Sequence, residues 1–222
     1  MNNFSIAIDG PAGAGKSSIA KELARSLNCI YIDTGAMYRS VGFYCISHGI
    51  DYLDETSVNG CLEHIQLRLA LSEEGQQIFL NEENVSLSIR NDAVAAAASK
   101  VATYEAVRCK MVNLQQQMAI HQSVVMDGRD IGTVVLPHAT LKVFLTATVE
   151  ERANRRYKEY IEKGYEADLQ QLKNEIIKRD EQDTTRLISP LKKAEDAIEI
   201  DTSDLTIEEI VNEIMTILRQ RI

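Results

Sequence analysis

Eight residues near the N-terminus, G-P-A-G-A-G-K-S from Gly10 to Ser17, constrain this chain more than anything else in it. They fit the pattern G-x-x-x-x-G-K-[ST], a loop that works only where a strand ends and a helix begins. Both flanks comply. The apolar run at 4–9 reads as a strand, 10–15 as the loop and 16–27 as a helix. Gly10, Gly13 and Gly15 permit positive φ and let backbone N–H groups close on an anion. The following helix turns its N-terminal amides and dipole toward the same anion. Lys16 can reach the outer phosphates as a point charge, and the Ser17 hydroxyl is a hard oxygen donor suited to Mg2+. Gly10, Pro11, Ala12, Gly13, Ala14, Gly15, Lys16, Ser17 and Ser18 are therefore expected to cradle a nucleoside triphosphate, with Ser17 as metal ligand.

The remaining pattern supplies a frame for such a loop. Short apolar runs at 29–33, 123–127, 141–147 and 197–203 read as buried strands. Helical pattern fills 36–49, returns at Asn91, and runs to Ala119 with a break near Thr103. Charged helices follow at 149–163 and 168–181, joined at Lys163–Gly164, and Thr206 with Glu209 has capping-box spacing ahead of a terminal helix. Strands alternating with helices imply an α/β fold, a parallel sheet with helices on both faces. From about residue 65 the texture changes to apolar–polar alternation, with turns expected at Glu74–Gly75 and Glu83–Asn84. A small antiparallel sheet of two or three strands is expected there, inserted in the larger frame.

With 24 basic against 33 acidic residues, the formal charge is −9. An acidic surface argues against nucleic-acid or anionic-membrane partners. No apolar run is long enough for a membrane span, and "MNNFSIAIDG" lacks the basic and apolar regions of a secretory leader. A cytoplasmic monomer acting on small molecules is expected. Cys29, Cys45, Cys61 and Cys109 form no C-x-x-C pair and the histidines are scattered, so neither a zinc site nor a disulfide framework is expected.

A triphosphate cradle leaves the reaction open between a switch GTPase, a motor-type ATPase and a small-molecule kinase. A guanine-reading N-K-x-D segment is missing, which weighs against the first. "SVVMDGRD" has the apolar strand and Asp127 that a motor ATPase would carry, but no assembly elements accompany it. A kinase needs a second anion site, and the chain offers arginines just beyond strand ends: Arg39 in "DTGAMYR" and Arg129 in "MDGRD". Arg179 and Arg186 join them at the end of a charged helix. Ligands of open α/β sheets bind beyond the carboxyl ends of the strands. Arg152, Arg155 and Arg156 fall at i, i+3 and i+4 of a helix and read as a lid over the transferring group. No general base stands out. An alcohol acceptor would want one; a phosphate acceptor, already ionised near neutral pH, wants arginines instead.

These segments together resemble the bacterial cytidylate kinase family of P-loop nucleoside monophosphate kinases. The likeness runs through "IDGPAGAGKSS", "DTGAMYR", "AAAASKVA", "MDGRDIGTVV", "ERANRRY" and "KRDEQDTTRLISPL", spanning essentially the whole chain. It implies a single kinase domain over 1–222: a core of five parallel strands with its P-loop at 10–18, a monophosphate-binding subdomain with the inserted sheet at about 34–110, and a lid at about 150–186. It implies transfer of the γ-phosphoryl group of ATP to CMP or dCMP with Mg2+. Arg39, Arg129 and Arg186, with Thr34, then resemble acceptor-phosphate ligands. Ser99, Arg108 and Asp130 resemble readers of the cytosine edge, and Arg179 and Asp183 sugar contacts. Lys16, Arg129, Arg152, Arg155 and Arg156 resemble the catalytic set. Another monophosphate kinase accepting UMP, or a P-loop ATPase without an acceptor, are the competing readings.

Overall fold

The first apolar run does form the central strand. In the computed structural model, which describes residues 3–72 and 75–222, β1 (Ser5–Asp9) is followed by α1 (Lys16–Ser26), β2 (Ile30–Asp33), α2 (Thr34–Ser47) and α3 (Glu55–Cys61). Next come β3 (Leu67–Ser72), β4 (Gly75–Leu80), β5 (Glu83–Asn84), α4 (Asp92–Val101) and α5 (Glu105–Ala119). Then follow β6 (Val124–Gly128), β7 (Leu141–Thr146), α6 (Val149–Glu162), α7 (Leu169–Thr185), β8 (Ile198–Asp201) and α8 (Ile207–Arg219). A 3₁₀ turn at Leu62–His64 and a π-helical turn at Ile131–Val135 complete the set.

A five-stranded sheet runs in the order β2-β6-β1-β7-β8, and β1 pairs in parallel with both β6 and β7, as β7 does with β8. This is the expected α/β architecture. The chain clusters into two compact units, one up to Tyr31 and from His121 onward, the other Ile32–Ile120. In the first, Ile6, Ile8, Val125, Val143 and Leu145 of the strands pack with Ile19 and Leu23 of α1 and Ile210 and Ile214 of α8. The helix boundaries have local causes. Thr206 and Glu209 close the expected capping box on α8. Gly164, at φ 77, ends α6 at the expected Lys163–Gly164 joint, and the Tyr165 amide donates back to the Tyr160 carbonyl.

The second unit holds the expected small antiparallel sheet, three strands in the order β3-β4-β5. The turn expected at Glu74–Gly75 involves residues 73–74, which lie outside the described residues. The second turn is not at Glu83–Asn84, which is strand β5. It sits at Asn81–Glu82, where both residues take positive φ (48 and 69) and Leu80 pairs with Glu83. A two-residue hairpin loop needs that twist, and Asn tolerates it. Helix α3 is not among the elements the sequence pattern predicts. It is only seven residues long and contains Gly60, and its signal is Asp54, whose carboxylate accepts from the Thr56 and Ser57 amides.

Within this unit α2 lies unusually close to α4. A Cβ on Gly42 would stand 2.9 Å from the Ala98 amide nitrogen and 3.0 Å from the Ala97 Cβ. The alanine-rich stretch "AVAAAAS" on α4 thus has a matching small residue on α2. Gly42→Val is expected to cost about 1–3 kcal/mol through overpacking. Denaturant unfolding checks this, and unchanged stability would mean the two helices are not in that contact.

All four cysteines are free, with Cys45 and Cys61 buried and Cys109 exposed. Among the described residues no helix is long and apolar enough to cross a membrane.

Candidate active site

Parallel register places Asp9 of β1 beside Gly128 of β6, so the chain leaves both strands at neighbouring points. One exit runs into the glycine loop and the other into Arg129 and Asp130. At its first glycine the loop has no room for a side chain. Gly10 has φ 151, and a Cβ there would come within 2.2 Å of the Leu145 carbonyl oxygen. Gly15, at φ 80, caps α1 with no side-chain hydrogen bond, and the first turn carries no acidic residue. No acidic side chain of α1's own first turn therefore competes for the amides that open it, which suits an anion cradle.

Lys16 is 6% exposed, and its Nζ donates to the Pro11 carbonyl at 2.6 Å. Burial, with the nearby Arg129 and Arg179 guanidiniums, holds its pKa well below the usual lysine value, while Asp127 and Asp183 pull it back. The Ser17 hydroxyl donates to Asp127 Oδ2 at 2.8 Å, and the Tyr31 hydroxyl donates to the other oxygen, Oδ1, at 2.8 Å.

Arg129, Asp130, Asp183 and Arg186 come together. Arg129 Nε donates to Asp183 Oδ2 at 2.8 Å. Arg186 Nη1 lies 3.6 Å from Asp183 Oδ1 and its Nη2 lies 3.7 Å from Asp130 Oδ1, while its Nε donates to the Ser189 carbonyl at 2.7 Å. Burial alone would raise the Asp183 carboxyl, but Arg129, Arg179 and Arg186 hold it below the usual carboxylate range. The charged pattern of the sequence ends the preceding helix at 181, whereas α7 continues to Thr185. Thr184 and Thr185 donate to the Asp180 and Glu181 carbonyls, which ties down the last turn. That extra turn sets Arg179 and Asp183 at i and i+4 on one helix face, with Arg186 following as the C-cap.

The three arginines of α6 part company. Arg152 is 4% exposed; its Nη1 reaches the Ala12 carbonyl of the glycine loop at 3.0 Å and Asp180 Oδ2 at 2.6 Å. Arg155 donates to the Thr202 hydroxyl at 3.0 Å and to Glu151 at 3.1 Å. Arg156 lies 3.5 Å from Glu175 of α7 and over the Tyr160 ring. Helical spacing puts them on one face, but their partners are the loop, the end of β8 and α7.

In the second unit, Asp33 caps α2 by accepting from the Ala36 amide, and Thr34, the first residue of the helix, is buried. Arg39 Nη1 donates to the Ile89 carbonyl at 3.4 Å. Ser99 stands on α4. Arg108 on α5 is 2% exposed, donates to the Ala102 carbonyl at 3.2 Å and lies 5.4 Å from the Tyr38 ring centroid. An arginine buried to this degree is no ordinary surface residue.

A family model for cytidylate kinase matches residues 6–220. The chain belongs to the cytidylate kinase family. The cytidylate kinase of Anoxybacillus flavithermus is 51% identical over 219 residues, covering 99% of this chain and 97% of that one. That of a Geobacillus species is 51% identical, covering 100% and 99%. Among solved structures, shikimate kinase from Bacteroides thetaiotaomicron superposes with a TM-score of 0.50 over 97% of this chain and 98% of that one. At 15% identity this likeness concerns the fold alone.

For a member of the cytidylate kinase family, the residue most clearly missed by sequence reasoning is Asp127. In the sequence it figures only as the strand-end acid that a motor-type ATPase would carry. The signal is present: an apolar strand, Val124 to Met126, closing on an acid, as in the strand that carries a metal-holding aspartate in P-loop enzymes. Tyr31, which orients that carboxylate, carries no such signal.

Proposed function

We propose that this chain transfers the γ-phosphoryl group of ATP to CMP or dCMP, giving ADP and CDP or dCDP. The observation that carries the reading is the pairing of two strand exits. A triphosphate cradle leaves β1 next to the β6 exit that bears Arg129 and Asp130, the latter two joined to Arg186 and Asp183. The neighbouring carboxylates already have partners: Asp127 accepts from Ser17 and Tyr31, and Asp183 from Arg129. That suits an acceptor whose oxygen needs no base.

Gly10 to Ser18 hold the phosphates of ATP, and Lys16 carries charge to the outer ones. Mg2+ suits the donor set, because nucleotide-site magnesium takes one or two protein oxygens and completes its shell with phosphates and water. Ser17 and Asp127 would hold it, and when bound it would neutralise charge on the phosphate oxygens. Each unit carries its own share of the acceptor ligands. In the first, Arg129 and Arg186 take the phosphate, Arg179 and Asp183 the sugar, and Asp130 the exocyclic amine of cytosine, for which a carboxylate is a natural acceptor. In the second, Thr34 and Arg39 take the phosphate and Ser99 and Arg108 the base. Arg152, Arg155 and Arg156 stabilise the loose transition state, Arg152 from its place on the Ala12 carbonyl. The same reading makes the enzyme a cytoplasmic monomer.

ADP release measured across CMP, dCMP, UMP, AMP and GMP tests this. Acceptor-dependent ADP, led by CMP and dCMP, is expected, and acceptor-independent hydrolysis would overturn it. Asp130→Ala is expected to lower the CMP-to-UMP ratio of kcat/KM by about tenfold, the worth of a hydrogen bond to a charged group. An unchanged ratio would remove Asp130 from base reading.

A further inference from the structure

We infer that Asp9 is a positioning residue for the acceptor, its carboxylate fixing the turn that carries Arg129 and Asp130 beside the mouth of the phosphate cradle. The inference rests on the acceptor role given above to those two residues. Asp9 is the last residue of β1, is 4% exposed, and directly precedes Gly10. Its Oδ1 accepts from the Ile131 amide at 2.8 Å and its Oδ2 from the Gly132 amide at 2.7 Å. These are the two amides that open the π-helical turn Ile131–Val135.

The consequence falls on Asp130. It stands at the N-cap of that turn, where an aspartate ordinarily folds back to cap its own helix. Here it makes no such bond. Asp9 satisfies those amides from another strand, and Asp130 points its carboxylate toward Arg186 instead, 3.7 Å away. Gly132 is shaped to this contact, because a Cβ there would stand 3.3 Å from Asp9 Oδ2 and 3.2 Å from Lys142 Cδ. Burial pushes the Asp9 carboxyl up to about 6 against the pull of the two amides. A buried charge is a costly cap, and an amide side chain could hold one of the two bonds without it. What the carboxylate adds is two acceptors on consecutive amides, which fix the orientation of the turn.

The test is steady-state kinetics with CMP and ATP varied separately, on Asp9→Asn, Gly132→Ala and Arg129→Ala. Asn keeps one acceptor and faces the other amide with a donor. Alanine at 132 disturbs the same contact from the opposite side and serves if the Asp9 variant does not fold. Both are expected to raise KM for CMP by about tenfold or more, the usual cost of losing a residue that orients a ligand, while KM for ATP moves less than about threefold. An unchanged KM for CMP, or equal rises for both substrates, would overturn the inference, the second outcome assigning Asp9 to the shape of the cradle. Arg129→Ala separates the role of Asp9 from that of the turn itself. If it leaves KM for CMP untouched, the acceptor reading of this turn is wrong. If it raises KM for CMP while Asp9→Asn and Gly132→Ala do not, only the role of Asp9 falls.

Discussion

Lys16→Ala is expected to lower kcat by about 100- to 1000-fold, the loss typical of removing one preorganised donor from a developing anion, while the protein remains folded. Both halves of that expectation come from where the ammonium sits. It is enclosed by the glycine loop, held at 2.6 Å on the Pro11 carbonyl, and close enough to Arg129 and Arg179 that those charges disfavour its own. In such surroundings the ammonium contributes little to stability, since burial and like charges both act against its protonated form. Alanine removes that opposition together with one hydrogen bond, so the melting temperature is expected to change little. Once a triphosphate lies on the cradle, its anionic oxygens oppose that shift and favour the ammonium. The charge is therefore worth most when phosphate is present. Rate and melting temperature measured on one preparation decide the matter. Near-normal turnover in the folded variant would remove Lys16 from the transfer step, and a collapse in melting temperature would make it a structural residue.

How much of the fold and site is legible in the chain depends on whether the information is local. The glycine loop is, because strand, loop and helix are adjacent in sequence and the residue types dictate one another. The capping box at Thr206 and the stop at Gly164 are legible for the same reason. The hairpin turn at Asn81–Glu82 loses to Glu83–Asn84 on sequence because either acidic–amide pair suits a turn, and only strand pairing selects one. The end of α7 falls several residues too early on pattern alone, since the backbone bonds of Thr184 and Thr185 leave no mark in the hydrophobic periodicity. In the site, arginines can be suspected from strand ends, but their partners cannot. Arg152, Arg155 and Arg156 share a helix face by count and yet reach the Ala12 carbonyl, Thr202 and Glu175. Asp9 and Tyr31 act across strands that are distant in the chain, and no spacing rule connects Asp9 to Ile131 or Tyr31 to Asp127.

Arg129→Ala is expected to damage both stability and activity, and the two effects can be separated. Its Nε holds Asp183 at 2.8 Å inside the protein. Burial pushes the Asp183 carboxyl up, yet it lies below its ordinary range because of Arg129 first and Arg179 and Arg186 after it. Removing one member of a buried pair strands the other, at about 3–5 kcal/mol when nothing else compensates. Arg186, 3.6 Å from Asp183, places the expected loss near the lower end. The sign with pH follows from the depressed carboxyl. A group whose pKa is lowered in the folded state adds stability above its unfolded pKa, and this is lost as pH falls through the folded value. The gap in melting temperature between wild type and Arg129→Ala should thus be widest near neutral pH and close as pH drops below the ordinary carboxylate range. Adding Asp183→Asn removes the stranded charge, so the double variant should melt closer to wild type. Activity should not return with it. An arginine on charge that develops during phosphoryl transfer is worth about 1000-fold or more, and neither substitution replaces it. Melting curves across pH, set beside kcat/KM for CMP, distinguish the two effects. A double variant that recovers turnover along with stability would show that Arg129 serves only to neutralise Asp183.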